Sequence, residues 1–485
     1  MSSHGKLAEI RFGTDGWRAV IAEEFTFANV ERVSQAYADY LSRRILDSQI
    51  EVGTKAEASR LVIVGYDRRF LSEKFAVRAS EVLAGNNFRL ALFDEAVPTP
   101  LVSWAVRESG ARGGVMITAS HNPAEFNGFK IKAPFGGSAP PEITKEVETL
   151  VDATQPRKAS FDATELEAVL SSSIESYRHQ VSSFVDLEMI RGINAQIIVD
   201  PMHGSGGNWV ESFLSGGRLR VETIRSARDP LFGGISPEPI DRNLAPLKNR
   251  VSAKKALIGL ATDGDADRVG ACNELGETMT MHEVVPLLLL HLARRRHMTG
   301  GVVRTFSQSV LTKRIAAAHN LPLYETPIGF KYVADLMLRE NILLGAEESG
   351  GIGVAGHIPE RDGILNSLLL LEAVAMASKP PSEIVRDIHR EFGEFYFGRR
   401  DLSLEVERGQ EFVRLLAAKP PSQIAGYDVS EVETLDGTKL LFKDESWLLF
   451  RQSGTEPALR IYAEATSIEK MNALLDEGRR AVFSF

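Results

Sequence analysis

Apolar and polar positions alternate along this chain in two distinct rhythms. Short unbroken apolar runs, such as Leu61 to Gly65, 89 to 93 and Val115 to Ile117, predict buried strands. Between them, residues 26 to 47, 73 to 85 and 98 to 108 carry apolar positions at helical spacing, the last opened by Pro98-Thr99-Pro100. Strands separated by helices of this length imply βαβ units and a mostly parallel sheet.

The alternation recurs twice more. A strand over 195 to 200 leads into Pro201 to Gly207 and then a helix, and a strand over 256 to 262 ends at Asp263. A third round has strands at 302 to 304 and 342 to 345 and helices at 308 to 318 and 363 to 377. After proline-rich stretches at 379 to 381 and 420 to 421 the order changes: strands over 437 to 450 and 459 to 464 precede one helix, 467 to 482. The fold expected is α/β, with three similar α/β domains in series (1–185, 186–298, 299–400) and a C-terminal α+β domain (401–485).

Bulk properties narrow the class. A chain of 485 residues exceeds what one core supports, and 44% hydrophobic and 25% charged residues are ordinary for a globular protein. A net charge of −9 argues against a general nucleic-acid partner. Cys272 is the single cysteine, so no internal disulfide forms, and no apolar run approaches the length of a membrane span. A cytoplasmic multi-domain enzyme, binding neither nucleic acid nor membrane, is the expectation.

Four segments carry candidate chemistry. Ser120 and His121 follow the buried run Val115 to Ile117, at the strand end where α/β proteins place their sites. They suggest a hydrolase, but the Gly-x-Ser-x-Gly pattern is absent, with Thr118, Ala119 and Asn122 in the flanks. Asp263, Asp265 and Asp267 alternate, and on a loop three such carboxylates converge on a hard cation, Mg²⁺ or Ca²⁺. An EF-hand is one rival, yet Arg268 stands where its glycine is needed and the flanks read as strands. An aspartate-nucleophile phosphatase and a solvated acidic turn are others. Glu347 and Ser349, after a strand, suit reading of sugar hydroxyls, with His357 and Arg361 downstream. Arg451, Ser453, Gly454, Thr455 and Arg460 have the composition of a phosphate-binding loop that is not a Walker motif. Near the start, Gly13 and Gly16 bracket Thr14 and Asp15, with Arg11 and Arg18 alongside, which fits an anion-binding loop or an ordinary glycine turn. A serine, a cation site, a sugar loop and a phosphate loop together fit phosphoryl transfer on a phosphosugar.

With these motifs in order, Thr118-Ala-Ser-His-Asn-Pro123, Asp263-Gly-Asp-Ala-Asp-Arg268, Gly345-Ala-Glu-Glu-Ser-Gly350 and Arg451-Gln-Ser-Gly-Thr-Glu-Pro457, plus Phe12 to Arg18, the chain resembles the α-D-phosphohexomutase superfamily over nearly its whole length. The resemblance implies four domains around a central cleft. It implies a phosphoserine at Ser120, and Mg²⁺, one per chain, on Ser120, Asp263, Asp265 and Asp267. His121 and Lys130 match acid–base or substrate-contact positions, and Arg11, Arg18 and Arg268 would neutralise phosphate near the serine. Glu347, Ser349, His357 and Arg361 would bind the sugar, and Arg451, Ser453, Gly454, Thr455 and Arg460 its second phosphate. The implied reaction moves phosphate between positions 1 and 6 of a hexose through a bisphosphate.

Gly351 stands where dual glucose/mannose enzymes of the family often carry histidine, so the pattern looks most like phosphoglucomutases, with glucose 1,6-bisphosphate as intermediate and activator. Arg361 departs from their frequent lysine and is assigned to binding, because arginine keeps its proton. Phosphomannomutase, phosphoglucosamine mutase and a non-catalytic phosphosugar-binding protein are the alternatives. The hexose phosphate is the expected partner, on a monomer or weak homodimer.

Overall fold

The computed structural model describes residues 9–13, 15–51, 60–453 and 457–485. It divides into two compact units, 1–278 with 351–375, and 279–350 with 376–485.

In the first unit, the strands Leu61–Tyr66, Arg89–Leu92 and Gly113–Ile117 form a parallel centre, as their apolar runs predict. The sheet is more mixed than expected. Strand Phe126–Lys132 pairs antiparallel with Gly113–Ile117, and Trp17–Val20 pairs antiparallel beyond it. Phe126–Lys132 escapes a search for apolar runs because Lys130 and Lys132 are among its buried positions. Helices Phe27–Glu51, Ser72–Gly85 and Thr99–Glu108 belong to this sheet's α/β layer, and Phe25, Val33, Tyr37, Phe75 and Phe129 are part of its core. A second sheet repeats the plan: Gln196–Asp200 lies between Arg220–Thr223 and Ile258–Thr262, both parallel to it, and Val269–Cys272 is antiparallel at the side of Ile258–Thr262. The buried helix Gly363–Ala377 begins in this unit.

In the second unit, Gly301–Thr305 pairs in parallel with both Leu323–Thr326 and Ile342–Ala346. The C-terminal sheet is antiparallel, with strands in the order Tyr396–Ser403, Ala458–Ala465, Trp447–Gln452, Thr438–Phe442, Tyr427–Glu433 and Gln423–Ile424. The expected strand over 437 to 450 is two strands. A polar turn, Lys443-Asp-Glu-Ser446, breaks it, with Glu445 in the left-handed region at φ 64°. Helix Ile468–Phe483 supplies Met471, Leu474, Leu475 and Val482 to the core cluster shared with this sheet. No described helix is long and apolar enough to cross a membrane.

Candidate active site

Tyr66 and Ile117 lie side by side at the ends of parallel strands, so the segments that follow both emerge at one sheet edge. Ser120 is fully buried and holds φ 52°, a conformation that strains a non-glycine residue and needs external support. The support comes from Arg69, itself fully buried. Its guanidinium donates to the carbonyls of Ser120 (2.6 Å), Asn122 (2.7 Å), Pro123 (2.8 Å) and Phe126 (3.0 Å). Arg69 Nε also reaches Asp67 Oδ2 at 3.1 Å. Asp67 accepts from Thr118 Oγ1 and Ser72 Oγ, and Thr118 Oγ1 in turn accepts from the Ser120 N–H at 2.9 Å. One arginine and one carboxylate thereby fix the serine loop on two sides.

Ser120 Oγ donates to Asp263 Oδ2 at 2.8 Å and lies 3.4 Å from His121 Nδ1. Burial, reinforced by the charges of Arg268, Arg18, Lys130 and Arg69, holds the His121 imidazole well below its ordinary pKa. That shift favours the neutral imidazole, the form that can accept a proton.

Asp263, Asp265 and Asp267 are fully buried, and each offers an oxygen within 4.8 Å of the others'. The loop approaches the serine closely because residue 264 is glycine: a Cβ there would meet the Ser120 carbonyl oxygen at 2.4 Å. Gly204 and Ser205, from the Pro201 to Gly207 loop, support it from another side, with the Ser205 N–H donating to the Gly264 carbonyl. Two helix starts also face this loop. The Thr99 N–H donates to the Asp265 carbonyl and the Gly363 N–H to that of Ala266, placing helix N-termini toward negative charge.

The carboxylate oxygens divide into two kinds. Asp265 Oδ2 receives Lys130 Nζ (2.8 Å) and Thr99 Oγ1 (2.7 Å), and Asp267 Oδ2 receives Arg361 Nη2 (2.8 Å) and Lys130 Nζ (3.3 Å). Asp265 Oδ1 and Asp267 Oδ1 are buried with no hydrogen-bond partner among the described residues. Burial, then the charges of Asp265 and Asp267, push the Asp263 carboxyl well above the usual range. Burial acts the same way on Asp265, but Lys130 overrides it and holds that group low. Orphaned oxygens on a crowded all-oxygen cluster suit a hard divalent cation, which would also relieve the repulsion at Asp263.

Around the carboxylates stands a ring of paired charge. Asp15 Oδ2 receives Lys130 (2.9 Å) and Arg361 (2.6 Å), while Glu360 receives Lys132 (2.7 Å) and Arg361 Nε (3.3 Å). Ser138 Oγ lies within hydrogen-bond reach of both Asp15 and Glu360. Arg18 reaches Asn122 of the serine loop at 2.8 Å, and the Arg268 N–H donates to Asp263 Oδ1.

Two expectations shift here. Arg361, expected on the sugar, is buried against Asp15 and Asp267. His357, expected on the substrate side, is buried in an aromatic core. It stacks on Trp104 at 5.4 Å, and its Nε2 lies 3.0 Å from Asp362, which also accepts from Tyr177.

In the second unit, Glu347 is buried at the end of strand Ile342–Ala346, and Gly350 at φ 95° turns the chain after Ser349. The neighbouring Glu348 accepts from Ser307 and lies 3.8 Å from Arg399. Arg451 donates to Asp436 at 2.9 Å, Ser453 is buried, and Arg460 sits directly opposite Arg451 across two strands. Gly454 and Thr455, like Thr14 in the first motif, lie outside the described residues.

Asp67, Arg69, Thr99, Lys132 and Glu360 were not singled out from sequence, and Asp15 was read only as part of the opening glycine loop. A signal existed for the first two: Asp67-Arg68-Arg69 directly follows a buried strand, the same placement that marks Ser120.

Four family models match in order. They are phosphoglucomutase/phosphomannomutase alpha/beta/alpha domain I (residues 9–158), domain II (175–276), domain III (281–392) and the C-terminal domain (404–481). A Thermococcus kodakarensis protein named phosphoglucomutase/phosphomannomutase is 30% identical over 477 residues, covering 98% of each chain. A Sulfurisphaera tokodaii protein named phosphoglucosamine/phosphogalactosamine mutase is 28% identical, covering 99% of each. A crystal structure of a Thermus thermophilus protein, assigned as a phosphomannomutase, aligns with TM-score 0.84 at 36% identity, covering 99% of this chain and 100% of that one.

Proposed function

The chain belongs to the phosphoglucomutase/phosphomannomutase family, as a four-domain phosphohexomutase enzyme, and from that premise we propose that it interconverts glucose 1-phosphate and glucose 6-phosphate through a phosphoserine at Ser120. The observation that carries this reading is the placement of the Ser120 hydroxyl, 2.8 Å from Asp263 in a buried cluster whose other two carboxylates each keep one oxygen with no hydrogen-bond partner among the described residues.

In this reading Asp263, Asp265 and Asp267 would hold one Mg²⁺ per chain beside the phosphate carried on Ser120. The bound cation supplies neutralisation of charge on the transferring phosphoryl group. Arg69 and Thr118 hold Ser120 still while its P–O bond breaks and a new one forms to the sugar hydroxyl, giving glucose 1,6-bisphosphate. The sugar hydroxyl loses a proton and the leaving Ser120 oxygen gains one, so the step calls for a basic group that accepts the first and returns it to the serine. His121 Nδ1, beside Ser120 and favoured in its neutral form, is such a group. Lys130 is gripped by three carboxylates that raise its pKa over the opposing effect of burial, so it keeps its proton and contributes charge. Transfer of the other phosphate back to Ser120 closes the cycle. Arg18 and Arg268 neutralise phosphate at the serine. Arg451, Ser453, Thr455 and Arg460 recognise the phosphate that is not being transferred, and Glu347 and Ser349 the hydroxyls. Arg361 sets charge at the carboxylates, and His357 is a packing residue.

The glucose assignment rests on Gly351 and the loop around it. The relatives' names favour a second reading, a glucosamine or mannose phosphate as substrate. A panel of the 1-phosphates of glucose, mannose and glucosamine, compared by kcat/KM with Mg²⁺ present, decides: the proposal requires glucose to lead. Ser120→Ala should abolish turnover while hexose phosphate binding stays measurable, and wild-type-like turnover in that variant would overturn the phosphoserine mechanism.

A further inference from the structure

Of the two faces of the C-terminal sheet, one is core. Leu459, Ile461 and Ala463 alternate to that side with Leu448 and Phe450, in the cluster that includes helix Ile468–Phe483. The opposite side carries Arg460 and Tyr462 from the middle strand. Register places Arg451 directly across from Arg460 on one neighbouring strand, and Arg399 directly across from Tyr462 on the other. Two arginines at one cross-strand position repel unless something negative lies between or beside them. Asp436 balances Arg451 at 2.9 Å, and Asp401 grips Arg399 at 2.7 and 2.9 Å.

Tyr462 stands in the middle of this face. Its side chain is fully buried, and the guanidinium of Arg399 lies 5.5 Å from its ring centre. The hydroxyl sits within the field of Arg399, Arg451, Arg460 and Glu348, yet it has no hydrogen-bond partner among the described residues. Leaving a hydroxyl buried and unpaired is costly, and phenylalanine would fill the same space without that cost. Among the described residues, nothing in the packing of this sheet accounts for the oxygen. A phosphate monoester does: its oxygens accept from a phenol, and its charge suits a face carrying three arginines.

We propose that Tyr462 and Arg399 are ligand-contacting residues of the anion-binding face, the Tyr462 hydroxyl donating to an oxygen of the sugar phosphate and Arg399 adding a charged fork beside those of Arg451 and Arg460. This rests on the reading of Arg451 and Arg460 as the site for the phosphate that is not transferred, and it adds two groups from outside that loop. Arg399 also lies beside Glu348, so it ties the anion face to the loop carrying Glu347 and Ser349.

The test exploits two effects of opposite sign. In a Ser120→Ala background, so that no transfer intervenes, Tyr462→Phe removes an unsatisfied hydroxyl. Without ligand its unfolding temperature should equal or exceed that of the parent. Its Kd for glucose 6-phosphate, by calorimetry, should rise roughly tenfold or more, the loss of one hydrogen bond to a charged acceptor. Inorganic phosphate should compete against glucose 6-phosphate less effectively in the same variant. Arg399→Gln should also weaken glucose 6-phosphate. Unchanged affinity in Tyr462→Phe overturns the proposal, as does a lowered unfolding temperature that accompanies the loss of binding, since the hydroxyl then has a structural partner. A different failure marks the underlying reading: if the folded parent binds no hexose phosphate, or binds it unaltered when Arg451 and Arg460 are both replaced by glutamine, the anion face itself is misassigned and the proposal falls with it.

Discussion

The serine and carboxylate region of the first unit and the arginine face of the second handle charge in opposite ways. In the first, Lys130, Lys132, Arg18, Arg268 and Arg361 stand against Asp15, Asp263, Asp265, Asp267 and Glu360, equal numbers of each sign, nearly all of them buried. A divalent cation together with a phosphate carrying roughly one and a half to two negative charges leaves that balance nearly unchanged. In the second, Arg399 and Arg451 have side-chain exposures of 27% and 16%, and their partners Asp401 and Asp436 are at 42% and 22%. Ion pairs near water are weak and exchange readily. The first region therefore keeps its charges paired largely away from water, and the second holds its ion pairs where solvent reaches them; on the proposed function, the first stays fixed while its load changes and the second trades an internal carboxylate for a ligand phosphate.

The largest effect should come from disturbing the fixed region at its centre. Asp265→Asn removes one negative charge from the cation cluster while keeping an acceptor for Thr99. Turnover should fall by roughly 10³-fold at saturating hexose phosphate, the scale of several kcal/mol of lost charge stabilisation. Removal of divalent cations with a chelator should act similarly on the wild type and add little to the variant. A variant within a few-fold of wild type would mean the carboxylates do not serve the transfer step.

Next comes the frame around Ser120. Arg69→Met leaves Asp67 buried without its cation and releases four carbonyls, so it should lower stability by about 3–5 kcal/mol in denaturant titrations. Thr118→Val is the sharper probe. It keeps the shape, but Ser120 loses its N–H acceptor and Asp67 one donor. The expected outcome is a kcat reduced about tenfold with KM within about twofold, because only the orientation of the serine changes. A change in KM alone would place the effect in substrate binding and remove Thr118 from the frame.

How much of this was legible in the sequence follows from the same contrast. Apolar runs announced the strands Leu61–Tyr66 and Gly113–Ile117, and three aspartates at alternating positions announced a convergent carboxylate cluster. Those signals are local. Phe126–Lys132 was missed because its lysines look exposed until Asp265 and Glu360, 135 and 228 residues from their partners, neutralise them. Arg69 was missed likewise, being 51 residues from the serine it holds. His357 and Arg361 read as substrate groups because they are titratable and cationic and their segment resembles the family's downstream motif. Here Trp104 and Asp15, far away in the chain, draw them inward.

The buried charges also set a pH dependence. Burial pushes the Glu360 carboxyl up, but Lys132 and Arg361 outweigh it and hold the group at about 2, against 4.5 for a free side chain. A depressed carboxylate stabilises the fold fully above its unfolded pKa and loses that contribution as pH falls toward the folded value. Glu360 should thus contribute stability, roughly 3 kcal/mol by this shift, that fades between about pH 4.5 and pH 2. Glu360→Gln should flatten the acid limb of the stability–pH curve measured by urea unfolding. An unchanged acid limb would mean that Glu360 is as easily protonated folded as unfolded.

The smallest effect expected, and the one that separates the two regions most directly, is that of salt. Raising ionic strength from about 0.01 M to about 1 M shortens the screening length from roughly 30 Å to roughly 3 Å. The partly exposed pairs Arg399–Asp401 and Arg451–Asp436 should feel that change, and the buried cluster around Asp267 should not. KM for the hexose phosphate should rise a few-fold with added sodium chloride, while kcat at saturating substrate and Mg²⁺ stays within about twofold, because the groups around Ser120 exchange no charge with solvent. Parallel loss of kcat and KM control would mean that water and ions reach the carboxylates as freely as they reach Arg399 and Arg451.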